Sequence, residues 1–196
     1  MPTADHRVFM HVGWDGYEAL LALRGERPQP RMAYLDGVVE LMTTSWDHER
    51  IKSWIGRIIE AYMLEVGILF GTYGHWTMKQ GPGPEAAGVE ADDCYQLGPD
   101  QSKRWPDLAI EVVWTHGGID KLEIYRRLGV REVWFWDDGE IHVHVLGDDG
   151  YHAAERSQCL PEIDLELVAS LVDQPTINDA VRVLRESLKR PGERSS

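Results

Sequence analysis

The sequence is short of the features that mark several large classes of protein. Its two cysteines, Cys94 and Cys159, are too few for a disulfide framework, which predicts a reducing, cytoplasmic setting. No apolar run approaches the length of a membrane span, and the first residues lack a signal segment, so we expect no membrane partner. Basic residues are also scarce, since 20 Lys and Arg stand against 33 Asp and Glu, for a net charge of −13. This charge argues against broad, nonspecific binding of nucleic acid, but it is compatible with a polyanion held through a metal ion.

What the chain does contain is typical of a globular protein, with 43% hydrophobic and 27% charged residues in a length of 196. We predict a single domain over residues 1–190 and a disordered tail over 191–196. The spacing of apolar residues predicts single strands around 68–78 and 89–97, and one amphipathic packing helix within 163–188.

Two further patterns predict local structure upstream. Asp36-Gly37 lies between two apolar runs, which indicates a β-hairpin with a tight two-residue turn. After it, Ser45 or Asp47 is placed to cap a helix whose apolar residues repeat at helical spacing, and Gly67 is its stop signal.

The most informative stretch runs from residue 105 to 136 and predicts a strand, a short helix and a second strand. Glu111 falls inside the first strand, where an acid is costly unless it is paired, protonated or bound to a cation. Lys121 shares the apolar face of the helix with Tyr125 and Leu128. One interpretation is that Lys121 extends its ammonium to water. The other is a buried ion pair between Lys121 and Glu111.

A second acid is expected near Glu111. Asp107 is four residues away on the same strand, roughly 13 Å, which is too far to share an ion. Asp92 is better placed, because a hairpin through residues 98–104 brings it opposite Glu111 at about 5 Å, within reach of one divalent cation. Such an oxygen-rich site suits Mg²⁺ or Mn²⁺ and the hydrolysis of phosphodiesters. The alternative is a pair of independent, solvated carboxylates.

Three other candidate site features each also have an ordinary structural interpretation. Glu40 ends a hairpin strand and is either a further site acid or ordinary surface. His48 opens a helix, where capping is one interpretation and a role in the site is the other. His142 and His144 share one face of a strand and suit zinc, but the sequence suggests no third ligand, so an exposed strand face is favoured.

These residues resemble a known family. The runs Pro106–Val112, Asp120-Lys121 and Gly129–Trp134 are similar to the Uma family of restriction-endonuclease-like proteins, in the PD-(D/E)XK nuclease superfamily, and the similarity extends from about Tyr34 to Leu146. The resemblance implies an α/β (α+β) fold with a restriction-endonuclease-like core, in which helices flank a mixed β-sheet with β-hairpins. It also implies a cation-dependent site.

Carried over by position, the resemblance implies that Asp92 and Glu111 are the acids of the site and that Lys121 is its lysine. The resemblance implies that the next helix supplies the lysine otherwise expected two residues after the glutamate. Here Val113 occupies that usual place and Lys121 the place on the helix. The chain departs from the family where Ala91 replaces a proline before Asp92, and where a short loop precedes the helix.

The sequence therefore predicts an endonuclease that hydrolyses DNA with Mg²⁺ or Mn²⁺. Asp92 and Glu111 are the expected metal ligands, Lys121 the cation that orients water, and Glu40 and Asp107 supporting acids. A homodimer would suit the two-fold symmetry of duplex DNA. The alternative is a binding or regulatory protein that keeps the nuclease fold without turnover, which the acidic charge favours.

Overall fold

The computed structural model describes residues 4–74 and 76–189. The predicted tail at 191–196, and both ends of the predicted domain at 1–190, lie outside the described residues. The strands are β1 (His6–His11), β2 (Arg31–Leu35), β3 (Val38–Thr43), β4 (Phe70–Thr72), β5 (Thr77–Gln80), β6 (Ala87–Glu90), β7 (Asp93–Leu97), β8 (Leu108–Val113), β9 (Glu132–Asp137), β10 (Glu140–Gly147) and β11 (Gly150–Ala154). The helices are α1 (Trp14–Arg24), α2 (Trp46–Val66), α3 (Lys121–Leu128), α4 (Leu165–Leu171) and α5 (Ile177–Leu188). None of the helices in the described ranges combines the length and apolar character that crossing a membrane requires.

The strands form two sheets. A five-stranded sheet has the order β1-β3-β2-β6-β5, and all its neighbours are antiparallel. A six-stranded sheet has the order β11-β10-β9-β8-β7-β4. It is mixed, because the neighbouring strands β8 and β9 run parallel and are connected along the chain by α3. The predicted mixed sheet with flanking helices and hairpins is confirmed. The structure adds a second sheet that the sequence did not predict.

Two predicted strands are divided between the sheets. The segment predicted as one strand over 89–97 breaks at Ala91 and Asp92, so that β6 lies in one sheet and β7 in the other. The segment over 68–78 divides in the same way into the end strands β4 and β5. Residues 86–92 are all buried, so no alternation of polar and apolar residues marks the break. As a result, Asp92 lies where the chain crosses between the sheets.

The local signals upstream are confirmed. Asp36 and Gly37 both have positive φ, 47° and 84°, as the tight turn between β2 and β3 requires. Ser45 caps α2, and Gly67 ends it in the left-handed conformation. The single helix predicted within 163–188 is wrong, because α4 and α5 are separate helices, each with its own capping side chain.

Two clusters of buried apolar side chains lie on the two faces of the sheet at β8. Helices α2, α4 and α5 cover one face of the six-stranded sheet, where Ile110 and Trp134 are buried. Helix α3 packs on the opposite face, through Ile124 and Tyr125, and it contacts both sheets. Side chains alternate along a strand. Glu111 therefore points towards α3, opposite to its neighbour Ile110.

Candidate active site

The centre of the candidate site is an ion pair between β8 and the first turn of α3. Lys121 Nζ lies 2.5 Å from Glu111 Oε2. The Glu111 side chain is 1% exposed and that of Lys121 is 14% exposed. Of the two interpretations of Lys121, the structure has the paired one. A carboxylate in this environment needs such a partner, because burying it alone would be costly.

The second partner of Glu111 is the phenol of Tyr125, which donates a hydrogen bond to Oε1. Burial raises the pKa of Tyr125 well above its ordinary value, and the charge of Glu111 raises it further. The phenol therefore stays protonated and remains a donor. Lys121 and Tyr125 are one helical turn apart, so α3 presents both groups to the same carboxylate.

The position of α3 has local causes. The Asp120 side chain accepts a hydrogen bond from the Glu123 N–H at 3.1 Å, which caps the helix just before Lys121. Gly129 ends the helix in the left-handed conformation with φ of 75°. These two features bound the short helix predicted in this stretch, and they hold Lys121 in its first turn beside β8.

Asp92 lies next to the same strand but is fully enclosed, with 0% exposure. Its Oδ2 accepts a hydrogen bond of 2.8 Å from the N–H of Val112, the residue after Glu111. Its Oδ1 accepts from Arg31 Nη1 and lies 3.0 Å from His48 Nε2. The carboxylate therefore lies beside the Glu111–Val112 peptide, and protein donors surround it.

His48 links Asp92 to the N-terminal segment. Its Nδ1 lies 3.0 Å from Asp5 Oδ2, and Asp5 Oδ1 accepts from the Ser45 N–H at 2.8 Å. Burial alone would raise the pKa of Asp5, but the hydrogen bonds from His48 and Ser45 outweigh it and the pKa is lowered. Each ring nitrogen of His48 thus lies within hydrogen-bond distance of a carboxylate oxygen. The ring of His48 thus belongs to the site, whereas its backbone N–H is capped by Ser45.

A cavity of about 230 Å³ opens between β8, α3 and the loop that joins them. Glu111 and Lys121 line it together with Glu40 and Arg7 from the five-stranded sheet. Acidic and basic side chains therefore line one small space. This is the arrangement expected of a site that binds a charged group, because the field of each charge is poorly screened there.

The loop over this cavity is tied to the five-stranded sheet. Glu40 accepts the N–H of Ile119 at 2.6 Å and the Nε of Arg7 at 3.3 Å. Arg7 also donates to the carbonyl of Thr115. A Cβ on Gly118 would lie 3.1 Å from Glu40 Oε2, so the close approach of the loop favours glycine there. Glu40 is therefore a wall residue of the cavity.

Two groups of predicted residues lie elsewhere. Asp107, at the other end of β8, accepts from the Leu97 N–H at 2.7 Å and from Lys103 at 2.5 Å. It does not line the cavity. His142 and His144 lie on β10 without the further ligands that zinc needs, since the described part of the chain holds no group of three or more His, Cys, Asp or Glu side chains suited to a metal.

Sequence reasoning missed several contributors to the site. Arg31, Arg7, Asp5 and Tyr125 were not singled out for it, although each bonds to a predicted residue or to the loop. Arg31 had a usable signal, because a basic residue that opens an apolar strand is as unusual as Glu111 within β8. Asp5 had none, since no local pattern connects it to His48.

The carboxylate oxygens of Glu40, Asp92 and Glu111 are the type of ligand that a hard divalent cation prefers. Mg²⁺ is commonly bound by one or two carboxylates and completes its shell with water and phosphate oxygens. Glu111 and Glu40 line the same cavity. Asp92 does not line it, but its carboxylate accepts the N–H of Val112, the residue next to Glu111. These are the residues that would hold such an ion.

Comparisons with known proteins identify the family of the chain. The family model Uma2, described as "Putative restriction endonuclease", matches residues 14–174. No curated protein matches the chain. A solved structure described as "a putative nuclease belonging to DUF820", from Anabaena variabilis, is 15% identical, and the match covers 79% of this chain and 92% of that chain with a TM-score of 0.47. Restriction-endonuclease-like proteins generally use divalent metals. Because the family model spans most of the sequence, the chain belongs to the Uma2 family of restriction-endonuclease-like proteins.

Proposed function

We propose that the protein is a metal-dependent endonuclease that hydrolyses phosphodiester bonds in DNA, with Mg²⁺ or Mn²⁺ as the ion. The observation that carries the proposal is the contact between Lys121 and Glu111 at the cavity, 2.5 Å long and nearly buried. The identity of the residues supports it, because two acids and an adjacent lysine are the groups that phosphodiester hydrolysis needs.

Each residue has a distinct part in the proposal. Asp92 and Glu111 hold the ion, which when bound polarises the phosphoryl group and lowers the pKa of its water. Lys121 has three N–H donors, and its contact with Glu111 fixes the direction of the ammonium towards the cavity. It orients the attacking water and stabilises the charge that develops on the phosphate. Tyr125 keeps the Glu111 carboxylate in place.

Glu40 acts as a supporting acid by fixing the loop. Its carboxylate holds the Ile119 N–H and the Arg7 guanidinium, so it shapes the cavity that the phosphate enters. Asp107 has no part in the proposed site, because its hydrogen bonds close the β7–β8 hairpin at the far end of the strand. A homodimer and a cytoplasmic location stay predictions.

The test is cleavage of supercoiled plasmid, linear duplex and single-stranded DNA with Mg²⁺, with Mn²⁺ and with EDTA. We expect cleavage only with metal, and a loss of about 100-fold or more in Asp92→Asn, Glu111→Gln and Lys121→Ala. Lys103→Ala is the matched control, because Lys103 also lies 2.5 Å from an acid, Asp107, but away from the cavity. Cleavage that survives EDTA, or that persists in Lys121→Ala, would contradict the proposal.

One observation favours the second candidate, a binding or regulatory protein without turnover. Asp92 is fully enclosed, and its oxygens are bonded to Arg31, His48 and the Val112 N–H. A protein that binds DNA or metal but cleaves none of the three substrates would support this candidate over the nuclease.

A further inference from the structure

Arg31 and Asp92 form an enclosed ion pair at the site. The Arg31 side chain is 3% exposed and that of Asp92 is 0% exposed. An ionised carboxylate offers about four lone-pair positions. Arg31 and His48 take two of them on Oδ1, and the Val112 N–H takes one on Oδ2. The proposed metal ligand is therefore already neutralised by a permanent cation of the chain, since a guanidinium does not lose its proton in proteins.

The guanidinium of Arg31 is shared between two acids. Its Nη2 donates to Glu49 Oε1 at 3.1 Å, and the Glu49 side chain is 40% exposed. Its Nε is buried and has no hydrogen-bond partner among the described residues. A guanidinium satisfies a carboxylate best through two parallel N–H bonds, and the contact with Glu49 uses only one. Arg31 therefore has a second acceptor beside it, closer to solvent, with donor capacity to spare.

We propose that Arg31 is an internal cation that competes with a divalent ion for Asp92, and that it must shift onto Glu49 before Asp92 can hold such an ion. This inference rests on the proposed function, because it concerns the same metal ligand. The physical reason is twofold: the guanidinium uses a lone pair of Oδ1, and its charge repels a second cation at that oxygen. Arg31 is thus a positioning residue that sets the metal affinity of the site.

The experiment is calorimetric titration of Mn²⁺ into the purified chain without DNA, so that the readout does not depend on activity. Arg31→Met removes the competing charge and keeps an unbranched side chain. A hydrogen bond to a charged group is worth about 1.5–3 kcal/mol, so we expect Mn²⁺ to bind about tenfold or more tightly. Arg24→Met is the matched control, because it removes another guanidinium from a buried acid, Glu90, away from Asp92. Its Mn²⁺ affinity is expected to match that of the wild type.

A second variant keeps the test decisive if Arg31→Met does not fold. Glu49→Gln changes a half-exposed side chain and removes the charge that would receive the guanidinium. Arg31 is then committed to Asp92, and Mn²⁺ should bind more weakly than to the wild type. An affinity equal to or tighter than the wild type would overturn the inference.

Asp92→Asn separates this inference from the proposed function. If Asp92→Asn abolishes Mn²⁺ binding but Arg31→Met binds no more tightly than the wild type, Arg31 does not compete and only the present inference fails. If Asp92→Asn leaves the affinity unchanged, Asp92 is not a metal ligand and both proposals fail. Absence of Mn²⁺ binding in the wild type and in a folded Arg31→Met variant would also overturn both.

Discussion

Replacement of Lys121 by methionine gives a direct measure of the ion pair on which the site depends. The variant removes the ammonium while it keeps an apolar stem of similar length. The Glu111 carboxylate, 1% exposed, then retains only the phenol of Tyr125 as a partner in the side-chain contacts described above. We expect a substantial loss of stability, because an acid in the sheet interior would be left without its cation.

The size of the loss follows from the geometry. At 2.5 Å and an effective dielectric constant of about 20, the attraction between the charges is about 7 kcal/mol. Desolvation of both groups offsets much of this, and removal of one partner of a buried pair costs about 3–5 kcal/mol in practice. Because the Lys121 side chain is 14% exposed, we expect a value of about 3 kcal/mol, at the lower end of that range.

The assay is urea unfolding of the wild type, Lys121→Met, Glu111→Gln and the double variant, which together form a thermodynamic cycle. The double variant should lose less than the sum of the single losses, because neither charge is then left alone. Lys103→Met is the control: Lys103 lies the same 2.5 Å from Asp107 but is 31% exposed, so about 1 kcal/mol or less is expected. A loss below 1 kcal/mol in Lys121→Met, or additive losses in the cycle, would refute the reasoning.

Three further predictions concern the core, the helix surface and the thiols. Gly88→Ala should cost about 1–3 kcal/mol in urea unfolding, since the new Cβ would lie 2.7 Å or less from ring and hydroxyl atoms of the fully buried Tyr17; an unchanged midpoint would contradict this. Hydrogen bonds from the arginines that follow it on α3 lower the pKa of Glu123 from 4.5 to about 2. Glu123 thus adds stability above pH 4.5 that is lost as the pH falls towards 2, so the gap between the wild type and Glu123→Gln should close over that range. Burial raises the pKa of the enclosed Cys94 and of the partly buried Cys159 to about 12, so a thiol reagent at about pH 8 should label the native protein slowly and the urea-unfolded protein fast. Rapid labelling of both thiols in the native protein would contradict this prediction.

Much of the local structure could be predicted from the sequence because its causes are local. The turn at Asp36 and Gly37 needs positive φ, which these residue types tolerate. The ends of α3 depend on a capping aspartate and a terminal glycine within one turn of the helix. The place of Lys121 on the buried face follows from the helical repeat, so its proximity to Glu111 was within reach of pattern reasoning.

The chain by itself therefore determined the hairpin and the strand–helix–strand block, and it placed one lysine within reach of one acid. Only the tertiary structure decided how the chain divides into two sheets and what surrounds Asp92. Arg31 lies 61 residues before Asp92 and His48 lies 44 before it, and Glu40 meets Ile119 across 79 residues. Periodicity describes neighbours along one helix or strand and contains no information on which distant segments meet. Those contacts arise when the sheets and α3 pack together, because burial then forces each enclosed charge to find a partner.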